Sequence, residues 1–378
     1  RPRMSKAAEL AALIGSQSPQ SHRNILINGA MQIAQRGTSG TFAHDGTTDG
    51  YLSVDRYTMA LGGTHEQLDG TMAQVADHPL SANGKSLKWT TSTAESSYDA
   101  DEYAYVTQII EAQHLQHINN GNSNAVPLTL SFYVKSSVTG TFAVGFYKED
   151  TTARIFNKTY AISSANTWEK KTLTFAGDTG GGGIVNDNGR GFYLVWHIAA
   201  GSNVVGGGST SGWQNYGGLS DWADGQATNA VATTASATWQ ITNCQLEIGE
   251  TATPFEHRSF ADELHRCQRY YAVRENATGG TIYYGNTLQA YGTSSIYGVI
   301  ADYPVTMRAT PTVSQSGTFG AYTATSGNNS MNSTIGNLSA TSHAWRTGGW
   351  SGTSNLTAGH ASVVFANNGA KLMADAEL

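Results

Sequence analysis

Leu128-Thr-Leu-Ser-Phe-Tyr-Val-Lys135 alternates without a break. Leu128, Leu130, Phe132 and Val134 take one side of an extended chain, and Thr129, Ser131, Tyr133 and Lys135 take the other. A period of two fits a half-buried strand and no helix face. The pattern returns in Thr141-Phe-Ala-Val-Gly-Phe-Tyr147 with Phe142, Val144 and Phe146. Further strand-like runs cover Trp168 to Phe175, Gly191 to Ile198 and Trp239 to Ile248. Strands at such short intervals, with one face alternating and one partly aromatic, predict an antiparallel sandwich or barrel.

Composition supports this reading. Charged residues are 13% of 378, about half the usual ~25%, while 43 glycines and many Ser, Thr and Asn favour strands and tight turns. Hydrophobic residues at 39% suffice for sizeable cores, so disorder is excluded. The net charge of −6 comes without runs of either sign, which argues against nucleic acid as a partner. Cys244 and Cys267 are too few for a disulfide framework and lack zinc spacing. No apolar run approaches the ~20 residues that span a bilayer, so membrane insertion is not expected. The short Ala-rich stretch near the start lacks the form of a signal peptide, and the chain is expected to be soluble or to reach the exterior by lysis.

Four segments are expected. Residues 1–22 hold a short helix, with Ser5 as N-cap, Gly15 as stop and Ala7, Leu10, Ala11 and Ile14 on one stripe, followed by a linker. So short a helix needs a neighbour: its own domain, its own copies, or a socket on a larger assembly. Residues 23–258 form a large β domain, interrupted by Gly180-Gly-Gly-Gly183 and by a Gly-rich insertion over 201–237. Residues 259–271 form a linking helix, with Ser259 as cap, Asp262 and Glu263 in the first turn, and Phe260, Leu264, Cys267 and Tyr271 at helical spacing. Residues 272–378 are strand-like again, and Tyr303 to Val313, which alternates between its two prolines, reads as an edge strand.

Catalytic signatures are missing. There is no Gly-x-Ser-x-Gly elbow, Gly84-Lys-Ser86 lacks the leading glycine of a phosphate loop, and His65-Glu66 has Asp69 where a second histidine should stand. His114 and His117 would point to opposite faces of a strand. Asp99, Asp101 and Glu102 share a polar loop and are the candidate ligands of a structural calcium, although ordered calcium-loop spacing is lacking. Asp221 and Asp224 flank Trp222; a solvated turn is the plain reading and a glycosidase pair the sharper one.

Aromatic residues give the better lead, because sugars stack their C–H faces on rings while amides hold their hydroxyls. Trp213, Gln214, Asn215, Tyr216 and Trp222 share one Gly-rich loop, and Trp345 and Trp350 flank another. These seven are the candidate glycan-binding residues. Packing or a subunit contact is the competing role for each. Trp89, Trp168, Trp196 and Trp239 lie in strand-like runs and are expected in the core or on a sheet face.

Several segments together resemble bacteriophage tail fibres and related virion appendage proteins. They are Asn24 to Ser39, with its Asn-Gly turn and Arg-Gly-Thr-Ser end; Ser53-Val-Asp-Arg-Tyr57; the Thr253-Pro-Phe-Glu256 corner; and Tyr303 to Val313 with the terminal Ala374-Asp-Ala-Glu-Leu378. The resemblance implies a jelly-roll like a carbohydrate-binding module, with Asn24 to Ser39 as its opening strand. It also implies a virion location, a homo-oligomer (commonly a trimer), attachment to other virion proteins, and contact with host polysaccharide or lipopolysaccharide. The long 201–237 insertion and the lack of a long coiled coil depart from the pattern. The alternatives are a capsid fibre or tail adaptor without ligand, a polysaccharide-degrading tailspike, and a binding module of a secreted enzyme. For the last, the sequons at Asn157, Asn276, Asn332 and Asn337 would matter.

Overall fold

The computed structural model describes residues 23–378 except 45–49, 64–66, 278, 293–294, 324–326 and 352–356. The expected N-terminal helix and the His65-Glu66 pair lie outside the described residues.

The chain is an all-β sandwich followed by a smaller β unit. One sheet of the sandwich runs in the order β1 (Ser39–Phe42), β3 (Asp69–Val75), β4 (Ser86–Thr93), β12 (Thr238–Ile248), β6 (Leu128–Ser136), β9 (Glu169–Phe175). The other runs β11 (Gln214–Asn215), β8 (Arg154–Ile162), β7 (Gly140–Lys148), β10 (Arg190–Ala200), β5 (Tyr103–Glu111), β2 (Thr58–Gly62). Their pairings are antiparallel. Alternation sends Leu130, Phe132 and Val134 of β6 and Phe142, Val144 and Phe146 of β7 into one core, together with Trp89, Trp196 and Trp239. Trp168 is half-buried and donates to Asp77 Oδ1 at 3.0 Å.

The second unit stacks a three-stranded sheet on a seven-stranded one. The small sheet is β13 (Tyr271–Glu275), β22 (Lys371–Asp375), β16 (Thr312–Ser316). The large one is β18 (Gly327–Ser333), β17 (Phe319–Thr323), β21 (Ala361–Ala366), β14 (Ile282–Ala290), β15 (Ser295–Asp302), β20 (Ala344–Ser351), β19 (Leu338–Ala340). Its core holds Trp345, Trp350, Ile300 and Leu372.

The helix Phe260–Gln268 lies between them, and the Ser259 side chain accepts from Asp262 N at 3.1 Å. Buried Glu111 of β5 takes Arg269 at 2.7 and 3.0 Å and the Tyr270 hydroxyl at 2.6 Å. Against the burial that would raise it, these partners hold Glu111 below the usual carboxylate pKa. Arg36 pairs with Asp375 at 2.9 Å, and Arg56 pairs with Glu377 while lying 3.5 Å from the Tyr270 ring centre. The Asp-Arg-Tyr motif and the chain's end therefore meet at one seam. The Thr-Pro-Phe-Glu corner closes nearby, where the Glu256 carboxylate accepts from Arg23 N and Asn24 N.

Three expectations change. Asn24 to Thr38 is not a strand: its backbone N–H groups turn to side chains, with Leu26 on Asn24, Ile27 on Gln108, Asn28 on Glu263 and Ile33 on Asn28. Regular pairing starts only at Ser39. Tyr303 to Pro311 is a run of bends, because prolines at 304 and 311 remove ladder donors; the edge strand begins at Thr312. His114 and His117 stand on the 3-10 helix Ala112–Ile118, whose three-residue turn puts them on one side.

Candidate functional site

The outward phase of the second sandwich sheet carries the site. On β5 Tyr103 and Tyr105 point away from the core, on β7 Tyr147 follows core residue Phe146, and on β10 Tyr193 follows core residue Phe192. β10 is hydrogen-bonded between β7 and β5, so these tyrosines converge. Tyr103 and Tyr105 stack at 5.9 Å and 15°, and Tyr147 lies 5.6 Å from Tyr193. All four are half-buried.

The 201–229 segment completes this face. Trp222 presents its edge to Tyr105 at 5.5 Å and to Tyr147 at 5.2 Å, and half-buried Tyr216 meets Tyr147 at 5.2 Å. Hydrogen bonds make this Gly-rich stretch a built element. Asp224 accepts from Gly206 N and Thr210 N, while Asp221 accepts from Gly217 N and Gln214 Nε2. Asn157 on β8 donates to the Asp221 and Trp222 carbonyls and to Ser209 Oγ. Gly145 is required beside it, since a Cβ there would sit 2.0 Å from Asn157 Oδ1.

Burial sets the electrostatics of the platform. It raises the phenol pKa of Tyr103, Tyr147 and Tyr216, and lifts Tyr193 to about 12, so the rings stay neutral. His197 lies beneath, about 6.1 Å from both Tyr105 and Trp222, with neither ring nitrogen in a hydrogen bond of normal geometry. Burial depresses its pKa to about 3. At the rim, Tyr193 Oη accepts from Arg190 and donates to Glu149. A hollow of about 350 Å³, lined by Glu149, Asp150, Asp187 and Arg190 among others, opens there.

The seven aromatic and amide candidates separate. Tyr216 and Trp222 belong to the platform, with Trp222 9% exposed and acting as its keystone rather than its surface. Gln214 serves as a clamp on Asp221, and exposed Asn215 accepts from Arg154 at 3.0 Å. Trp213 faces the other way. Chain passage along the sheet edge at β11 stacks it 5.6 Å from Phe192, inside the sandwich, with its Nε1 on the Ala176 carbonyl at 2.7 Å. Trp345 and Trp350 are both fully buried. Their segment is strand β20, and Gly349 (φ 135°) is part of that strand, not of a loop.

The carboxylates are placed differently from the sequence reading as well. Asp221 and Asp224 are buried loop clamps, not a solvated turn. Asp99 and Asp101 are exposed, whereas Glu102 turns inward, accepts from Asp99 N at 2.8 Å, and is raised to about 7 by burial. Among the described residues no three His, Cys, Asp or Glu side chains come together to hold a metal. Two sequons are closed as well, since Asn157 and Asn276 are 1% exposed. Tyr103, Tyr105, Tyr147 and Tyr193 were missed by the sequence reading, although their signal is the polar phase of the same alternation that marks the core.

Comparison with protein-family models and with curated proteins gives no match. Solved structures give loose likenesses. The enzymatically active domain of bacteriophage CBA120 tailspike protein 4 is 13% identical over 60% of this chain at a TM-score of 0.29, and the chain spans 22% of that protein. A family 11 carbohydrate-binding module from Clostridium thermocellum, in complex with a β-1,3-1,4-mixed-linked tetrasaccharide, is 11% identical over 57% of this chain and 98% of its own, at 0.28. N-terminal modules of a Clostridium thermocellum endo-1,4-β-D-xylanase complexed with xylohexaose are 11% identical over 53% of this chain and 27% of theirs, at 0.26.

Proposed function

We propose that the chain is a non-enzymatic structural protein of a phage tail fibre or similar virion appendage that holds host cell-surface glycan on the tyrosine platform. One observation carries this reading: five half-buried tyrosines share the outer face of one sheet, with Tyr103, Tyr105, Tyr147 and Tyr216 packed around Trp222 and Tyr193 against Tyr147. Such rings offer flat apolar faces for sugar C–H groups, and the Arg190, Glu149 and Asn215 side chains at the rim can bond hydroxyls. Host polysaccharide or lipopolysaccharide is the ligand, and other virion proteins and copies of the chain, as a trimer, are the partners. Weak single sites multiplied by copy number hold a cell firmly. The clamping role of Asp221 and Asp224 supports binding without bond cleavage, because both spend their oxygens on backbone N–H groups and Gln214. A glycan array on the purified chain, read beside reducing-sugar release from host polysaccharide, tests the proposal. Retention without release is expected; release that disappears when one carboxylate is changed would replace it with the depolymerase reading.

A further inference from the structure

We infer that the C-terminal unit carries its own site for a neutral saccharide, in the cleft between β13 and the β14–β15 hairpin. The cleft measures about 420 Å³, within the usual range of small-molecule sites. Its floor is apolar, with Tyr284 at 6% and Ile300 at 0% exposure. Tyr283 stands on the wall at 52% exposure, yet its ring is fixed: Phe365 lies 5.7 Å away and Tyr322 6.5 Å away. An exposed ring already held in place loses little freedom when a sugar face stacks on it.

Planar polar groups converge on the same space. Arg274 spends one Nη2 hydrogen on the Asp302 carbonyl at 2.9 Å, and Asn286 Nδ2 reaches Asp302 Oδ2 at 3.4 Å. Among the described residues, Nε and Nη1 of Arg274, Oδ1 of Asp302 and Oδ1 of Asn286 make no other hydrogen bond. Donors and acceptors thus stand side by side, as vicinal hydroxyls demand. Opposite charges line the cleft together: Glu275 pairs with Lys371 at 3.0 Å, and the Arg274 guanidinium and the Asp302 carboxylate border the same space without forming an ion pair. Balance of this kind favours an uncharged ligand over an anion or a cation. The cleft shares no residue with the tyrosine platform, so either site can fail alone.

The test uses the full chain on an array of neutral and acidic oligosaccharides, as wild type, Tyr283→Ala and Tyr105→Ala. At least one neutral glycan is expected to lose about tenfold or more of its signal in Tyr283→Ala and to keep it in Tyr105→Ala. Arg274→Ala should weaken the same spots. The inference is overturned if no neutral glycan binds, if every neutral signal survives Tyr283→Ala, or if only acidic glycans respond to it. Loss in Tyr105→Ala alone would leave the platform reading standing and remove this one.

Discussion

Two Gly-rich segments, each carrying two tryptophans, look interchangeable in sequence and are opposites in space. Ala344–Ser351 runs as strand β20 and buries Trp345 and Trp350 completely, with Trp345 4.2 Å from Tyr303 and its Nε1 on the Met373 carbonyl. Residues 205–222 form turns tied down by Asp221, Asp224 and Asn157, and they lay Trp222 and Tyr216 on the outside of a finished sheet. The glycines differ in kind. Gly208 and Gly225, both at φ 87°, make left-handed turns in the insertion, whereas Gly349 is the bulge residue of an otherwise paired strand, skipped between Gly348 opposite Tyr297 and Trp350 opposite Ile296. A tryptophan beside glycines therefore reaches a sheet's outer face only where the backbone leaves the strand and is tied down over that face.

The sharpest way to break this contrast is Trp345→Ala. It should cost about 3–5 kcal/mol as a buried cavity, seen as a lower denaturant midpoint for the C-terminal unit, with platform binding retained at temperatures where that unit is folded. A near-neutral change would place Trp345 at the surface after all. Asp224→Ala comes next. Two backbone N–H groups lose their acceptor, at about 1–3 kcal/mol, and amide exchange over 205–222 should quicken while glycan binding at the platform falls. Unchanged exchange would show that the insertion does not depend on its clamps.

A smaller effect is read by pH. His197 stays neutral when folded down to about 3 but takes a proton near 6.5 when unfolded. Its contribution is full above pH 6.5 and is lost as pH falls toward 3, by about 1.4 kcal/mol for each unit within that window. Glu102, raised to about 7, acts in the opposite sense, adding stability as pH falls from there toward its unfolded value. Comparing His197→Gln with wild type between pH 6.5 and 5 isolates the histidine. The stability of wild type relative to the variant should fall on acidification, by about 1.4 kcal/mol per unit, and parallel curves would remove His197 from the account.

Much of the fold was legible because its signals are local. The Leu128 to Lys135 alternation predicts which side chains enter the core, and the Ser259 cap with Asp262 and Glu263 predicts the linking helix. Trp89, Trp196 and Trp239 sit in the core as strand context indicates. The site was less legible because it is assembled across strands distant in sequence. Tyr105, Tyr147 and Tyr193 become neighbours only when β10 settles between β7 and β5. Trp213 and Trp222 are close in the chain, yet passage along the β11 edge puts them on opposite faces of one sheet. The opening segment misled for another reason. Asn24 to Thr38 has strand-like composition, but its hydrogen bonds go to side chains that pattern cannot place.

The central claim is that half-exposed tyrosines on the sandwich's outer face, and not the conspicuous tryptophans, make the sugar contact. Calorimetric titration of the best-retained array glycan against wild type and a Tyr105→Ala, Tyr147→Ala double variant tests it directly. The account predicts a loss of affinity of about tenfold or more with little change in melting temperature. Equal affinity in the two proteins would contradict it.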